Sequence, residues 1–310
     1  MRTETLQFDG FGSVHLPAML WLPDDEPKAI LQITHGMTEH IGRYKAFAEK
    51  MTSQGVAVAG CDLRGHGRNI GNADVASFGE GGWEASLQDM RLFFEYLAAR
   101  FPGIPHHMLG FSLGSFLLRE YLGKWPDGVN SAIIMGTGNQ PGFVLSIMMA
   151  IVKGQIKKGG FDNTTDLVRQ LSFGAYNQKF KPNRTASDWL CADIKQLDDY
   201  IADPLCQKDI SSGLFWQLLG AMKRTGGKDA CGTWRKDMPV LLISGKDDPV
   251  GDMGKGVQSV KKQLDNAGMK NVSMHLLPGA RHILLNEYAC GAAEKTCDII
   301  AEWLKQGVRI

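Results

Sequence analysis

The sequence has little that would staple a small fold, span a bilayer or grip a polyanion. Its six cysteines (Cys61, Cys191, Cys206, Cys231, Cys290, Cys297) are scattered through 310 residues. They form no CxxC pair and no Cys/His cluster at zinc spacing, so reduced structural thiols and no metal centre are expected. Neither sign of charge is in excess: 34 Lys+Arg against 33 Asp+Glu leave +1, which argues against a nucleic-acid partner. No apolar run reaches the ~18 residues of a membrane-spanning helix. The opening Met1-Arg2-Thr3-Glu4-Thr5 lacks the apolar core of a signal peptide. A cytoplasmic protein is the expectation. Proline is sparse at 12, and 37 glycines follow no short period, which excludes collagen-like and low-complexity chains. What remains is 44% hydrophobic and 22% charged, a chain that can bury a large core unaided.

Hydrophobic patterning organises that chain. Thr5 to Phe8 and Val14 to Leu22 read as two strands turned at Asp9-Gly10. Short apolar strands follow at Ala29–Thr34, Val56–Ala59, Met108–Phe111, Ala132–Met135 and Val240–Ile243, and Val272–Leu277 reads as the last strand. Helical patterns lie between them at Tyr44–Gln54, at Leu87 to Phe101, and at Leu113–Leu122; a last helix is expected over Glu287–Gln306. Within it, Cys290 and Cys297 are seven apart and are expected to share a packing face. The pair His106-His107 reads as a strand entry. Such alternation predicts an α/β fold with a mostly parallel sheet covered on both faces. One stretch breaks the rhythm: residues 137–237 pass without another βαβ unit and are helix-like. A structureless loop of that length is implausible in a compact domain. The expectation is a core of residues 1–136 and 238–310 with a helical cap, 137–237, inserted in it.

Gly110-Phe111-Ser112-Leu113-Gly114 sits between an apolar strand and a helical pattern, the context of a G-x-S-x-G nucleophile elbow. A serine on so sharp a turn leaves no space for side chains two positions before or after it. The helix that follows aims free N–H groups at an oxyanion. A serine needs a base, and the base an orienting acid. Asp248 follows the strand at Val240, and His282 follows the strand at Val272, in the chain order this topology uses. Ser112, Asp248 and His282 are therefore the candidate catalytic residues. Asp247 competes with Asp248, but Pro249 restricts Asp248 to an extended backbone that suits presentation from a strand end. The oxyanion donors are expected to be the backbone N–H groups of Leu113 and of Met37, which follows His35-Gly36.

These residues carry a family resemblance. His35-Gly36-Met37-Thr38-Glu39-His40-Ile41-Gly42-Arg43-Tyr44 resembles the oxyanion loop of monoacylglycerol lipases and bacterial lysophospholipases of the α/β-hydrolase fold. Asp62-Leu63-Arg64-Gly65-His66-Gly67-Arg68 resembles the D-x-R-G-H-G-x-S loop of the same branch, with Asn69 in place of the serine. Asp248-Pro249-Val250, Arg281-His282 and Asn286-Glu287 also match. The resemblance implies acyl-ester hydrolysis through an acyl-enzyme, with no cofactor, and gives Arg64 and His66 a supporting role in their loop. Aminopeptidases, carboxylesterases and acyltransferases share much of it.

The segment Phe143 to Val152 is nearly all apolar, with Lys153, Lys157 and Lys158 behind it. It reads either as an acyl-chain wall or lid that transiently meets a lipid interface, or as a buried cap helix or dimer partner. Candidate substrate contacts are Phe143, Ile147 and Trp189 in this cap, with Glu39 and Arg43 near the oxyanion loop. Glu39, His40 and Arg43 read equally as a solvated helix-start cluster. A small acyl-ester substrate such as a monoacylglycerol or lysophospholipid is expected. An aminopeptidase, a small-ester carboxylesterase or a non-catalytic receptor are the alternatives.

Overall fold

The computed structural model describes residues 1–70, 75–206 and 209–307. Its strands are β1 (Arg2–Asp9), β2 (His15–Leu22), β3 (Ala29–Thr34), β4 (Val56–Cys61), β5 (Val75–Ala76), β6 (His106–Phe111), β7 (Ser131–Met135), β8 (Asp209–Ile210), β9 (Val240–Gly245) and β10 (Val272–Leu277). Eight of them form one sheet in the order β1-β2-β4-β3-β6-β7-β9-β10. Strand β2 runs antiparallel to β1 and β4, and the remaining pairs are parallel. Every residue of β3, β6, β7 and β9 is buried, which is why their sequences are mainly apolar rather than alternating. The fold is that of an α/β-hydrolase.

The helices are α1 (Lys45–Thr52), α2 (Gly82–Arg100), α3 (Leu113–Lys124), α4 (Gly142–Gly159), the short α5 (Asp166–Arg169) and α6 (Ala175–Asn177), α7 (Ile194–Ala202), α8 (Ser212–Thr225), α9 (Lys255–Asn266) and α10 (Ala292–Gly307). One face of the sheet packs on α2, α3 and α9 through Leu87, Phe94, Leu117, Tyr121 and Val260. The other packs on α1 and α10 through Phe47, Met51, Ile300 and Leu304. Helices α4 to α8 lie between β7 and β9 in the chain. Local signals start several of them: Thr165, Asp193 and Ser211 each accept the N–H three residues on, as N-caps do. This stretch shares its apolar contacts with the sheet. Leu214, Phe215 and Leu218 join the α3 side, and Trp189, Leu190 and Leu197 the α1 side.

Three details depart from the sequence pattern. The chain between the last strand and α10 forms a short 3-10 turn at Leu284–Asn286, so α10 begins five residues later than expected. Cys290 is exposed ahead of it while Cys297 is buried in it, and the two share no helix face. Strands β5 and β8 pair in a separate two-stranded sheet; at two residues each they carry no periodicity to read.

Candidate active site

The parallel register sets where the side chains emerge. Thr34 of β3 lies beside Gly110 of β6, Phe111 beside Met135 of β7, and Gly245 of β9 beside Leu277 of β10. These strands therefore end at one edge, and Ser112, Asp248 and His282 follow them by one, three and five positions. Ser112 has φ 50° and ψ −116°, a strained conformation of the kind that costs ~1–3 kcal/mol and persists at functional sites. Its N–H donates to Met135 O at 3.0 Å, continuing the sheet ladder into the turn. A Cβ on Gly110 would stand 2.4 Å from Gly114 O, and one on Gly114 2.1 Å from Thr34 O. Both glycines are thus steric requirements of the elbow.

Ser112 Oγ lies 2.9 Å from His282 Nε2, and His282 Nδ1 2.8 Å from Asp248 Oδ2. Asp248 is fully buried. It also accepts the Val250 N–H at 2.8 Å and the Ser244 hydroxyl at 3.2 Å. An ionised carboxylate only accepts, so the Nδ1 proton points to Asp248 and the Nε2 lone pair faces Ser112. Asp247 is half-buried and outside this line. The His282 ring is flanked by Phe111, centroids 4.9 Å apart, and by Trp189 at 5.2 Å.

The loop bearing His282 is strapped to the stretch that carries Trp189. Buried Glu287 accepts the N–H groups of Arg281 and Ala192, and Ile283 N–H donates to Leu190 O. The Arg281 guanidinium donates to the carbonyls of Asp188 and Cys191 and lies over the Phe180 ring. This gives a physical role to the Arg281 and Glu287 positions, which sequence reading reached through resemblance alone.

The loop after β3 is braced from inside. Leu63 N–H donates to His35 Nε2 at 2.9 Å, so the other ring nitrogen carries the proton and donates to Gly36 O at 2.7 Å. Burial, reinforced by the neighbouring His66, pulls the His35 pKa down to about 3, which keeps that tautomer neutral. Thr38 adopts φ 59°, and its hydroxyl pairs with Tyr200 of α7 at 2.8 Å. Among the described residues the Met37 and Leu113 amides donate to no protein acceptor. Met37 and Ser112 line one cavity and, with Leu113, the next.

Glu39 is buried and Arg43 half-buried, and the polar atoms of Glu39 are engaged by protein groups. Glu39 accepts from Gly36 N–H and the Tyr44 hydroxyl and stands 3.5 Å from Arg43. Arg43 stacks over Tyr200. Asp62 accepts Ile41 N–H and two Arg68 donors, Arg64 forks onto Asp89, and His66 packs between His35 and Phe78. These groups hold the floor of the site. Asn69 leaves that network intact.

Two cavities meet at Ser112. The larger, about 520 Å³, is lined by Thr38, Gln170, Ser187, Tyr200 and Ile201 beside the Ser112–His282 pair. Its carboxylates, Glu39 and Asp209, are both paired with arginines. The inner one, about 220 Å³, is walled by Leu145, Met148, Leu171, Phe215 and Leu219. Met37, Ser112, Phe173 and Trp189 border both. Phe143 and Ile147 are placed elsewhere: they are 71% and 58% exposed on the outer face of α4. The α4 side chains that line the inner cavity are Val144, Leu145 and Met148; the stretch Phe143 to Val152 is nearly all apolar, so its pattern does not say which face turns in.

A family model described as serine aminopeptidase, S33, matches residues 25–289. The chain belongs to that family of α/β-hydrolases. It is a hydrolase-family enzyme. The chain is 24% identical to a monoacylglycerol lipase of Mycolicibacterium smegmatis over 286 residues, 90% of each chain. Among solved structures it is similar to a thermostable carboxyl esterase of Bacillus coagulans in complex with glycerol, with TM-score 0.87, 23% identity and 99% of each chain covered. It is equally similar to a lipase in an open form, with TM-score 0.88, 23% identity and all of each chain covered. Among the described residues no helix is long and apolar enough to cross a membrane.

Proposed function

We propose that the protein is a serine ester hydrolase of single-chain acyl esters, monoacylglycerols or lysophospholipids. The observation that carries this reading is that two mainly apolar cavities meet at Ser112, an inner one of about 220 Å³ walled by Leu145, Met148, Leu171, Phe215 and Leu219 and a wider one of about 520 Å³ that carries Thr38, Gln170, Ser187 and Tyr200. A fatty-acyl chain fits the first and its alcohol the second, with the ester carbonyl at Ser112. The names of the similar lipases and esterase agree with it.

In this reading Ser112 Oγ attacks the carbonyl as His282 Nε2 takes its proton. Asp248 holds the imidazole and stabilises its charged form. The Met37 and Leu113 amides bind the tetrahedral oxyanion. His282 then protonates the departing alcohol, and water repeats the sequence to free the acid. The residues 137–237 act as a cap that walls the acyl chain. The outer stripe of α4, Phe143, Ile147 and Ile151, with Lys153, Lys157 and Lys158 beyond it, meets the lipid interface where such esters reside.

A peptidase would need a free carboxylate for the substrate ammonium, and the arginine pairing of Glu39 and Asp209 speaks against one. Rates on glycerol esters from acetyl to palmitoyl, beside aminoacyl amides, test the proposal. The expected optimum lies above acetyl. Faster turnover of an aminoacyl amide than of any longer ester would refute it. Labelling of wild type but not Ser112→Ala by a fluorophosphonate is expected; absence of labelling in folded wild type would favour a receptor.

A further inference from the structure

Beyond the hydrolytic line, His40, Asp203 and Cys206 bring their ligand atoms within 4.8 Å of one another. We propose that these three side chains bind a zinc-type divalent cation that ties the oxyanion loop to the C-terminal end of α7. An imidazole nitrogen, a carboxylate oxygen and a thiolate sulfur form the mixed donor set that zinc takes. Asp203-Pro204-Leu205-Cys206 puts two donors three residues apart, the spacing of a chelating turn. The turn is closed by Cys206 N–H on Asp203 O at 3.1 Å and by Leu205 N–H on Asp203 Oδ1 at 2.9 Å. The third donor comes from the loop after β3: His40 Nε2 is already 2.9 Å from Asp203 Oδ2. His40 and Cys206 are buried, so the donors are largely desolvated before an ion arrives. Cys206 also lines the large cavity, which provides an entry path and an open coordination position.

The proton balance follows from the ligands. The Cys206 thiol loses its proton to solvent as the metal–sulfur bond forms. The His40 proton that Nε2 shares with Asp203 moves to Nδ1, and the freed Nε2 lone pair turns to the ion in place of that hydrogen bond. Asp203 binds as the carboxylate it already is. One proton is released per ion bound. Tyr200 of α7 already bonds Thr38, so the ion would fix the same two elements. The site itself does not rest on the hydrolase reading, and binding is measured without turnover.

Cobalt(II) added to the reduced full-length protein is the probe. A thiolate-to-cobalt charge-transfer band saturating at one equivalent is expected, with one proton released per cobalt bound, and zinc should displace the cobalt and remove the band with no further proton release. Cys206→Ser should abolish the band, and Asp203→Asn should weaken cobalt at least ~10-fold with circular dichroism unchanged. Cys290→Ser, at the exposed cysteine, should leave the band in place. No band in wild type, or a band surviving in Cys206→Ser, overturns the proposal. If Cys206→Ser fails to fold, the thermal shift decides. Zinc should raise the wild-type Tm by about 5 °C at saturation and that of Asp203→Asn by much less; equal shifts overturn the site.

Discussion

Ser112 shows how one residue's chemistry depends on two that have none. Its strained backbone is possible because Gly110 and Gly114 clear the space on either side. Gly114→Ala is expected to cost about 3 kcal/mol in urea unfolding, since its Cβ would press on Thr34 O. With the Ser112–His282–Asp248 line as proposed, Ser112→Ala and His282→Ala each remove nearly all ester turnover. Asp248→Asn lowers kcat by ~10⁴ while the fold stands, because the amide favours the wrong imidazole tautomer. Steady-state rates beside circular dichroism check all three, and wild-type turnover in Ser112→Ala would refute the assignment. At this scale the sequence was highly legible: the elbow is local, and its glycines, serine and flanking apolar strand lie within ten residues. The choice between Asp247 and Asp248 rested on Pro249; in the fold only Asp248 reaches His282.

Secondary elements were legible wherever burial is two-sided. Strand β3, buried throughout, spans the same residues as its apolar run, and the half-exposed edge strand β10 still matches the span read from its sequence. Helix α4 was legible as a helix but not as a surface, because its stretch Phe143 to Val152 is nearly all apolar. The outer stripe yields a prediction of its own. Phe143→Ser with Ile147→Ser should reduce partition onto phospholipid vesicles at least ~10-fold and leave rates on a soluble short-chain ester unchanged; equal partition would remove the interface role. The inner face yields another. Met148→Trp should fill the 220 Å³ cavity and lower rates on long acyl esters more than on acetyl esters, read as a change in the chain-length profile. Arg119 holds both ends of the stretch between β7 and β9. Wholly buried without a carboxylate, it donates to Gly138 O, Asn139 Oδ1, Thr225 O and Gln263 Oε1. Burial pulls its pKa down to about 10. No periodicity marks such a residue, since its partners are up to 144 positions away.

Across the whole molecule, buried histidines set a pH limit. Burial depresses His35 and His106 to about 3, and His66 and His107 to about 4. All four are neutral in the fold at pH 5 but protonated in the unfolded chain, whose histidines titrate near 6.5. The unfolded state therefore binds more protons between pH 6.5 and about 4. Stability is intact above that window and falls as pH drops through it, by roughly 1.4 kcal/mol per pH unit for each proton taken up. Urea midpoints at pH 7, 6 and 5 measure this, and a flat series would contradict it.

The sequence by itself determined the strand order along the chain, the elbow, and which residue types follow which strands, because each depends on neighbours a few positions away. Tertiary structure alone decided that the ends of β6, β9 and β10 share one edge, that Trp189 flanks His282, that α4 turns Met148 inward, and that His40 meets Asp203 across 163 positions. Those contacts arise from packing layers onto a twisted sheet, where proximity follows register and burial rather than spacing in the chain.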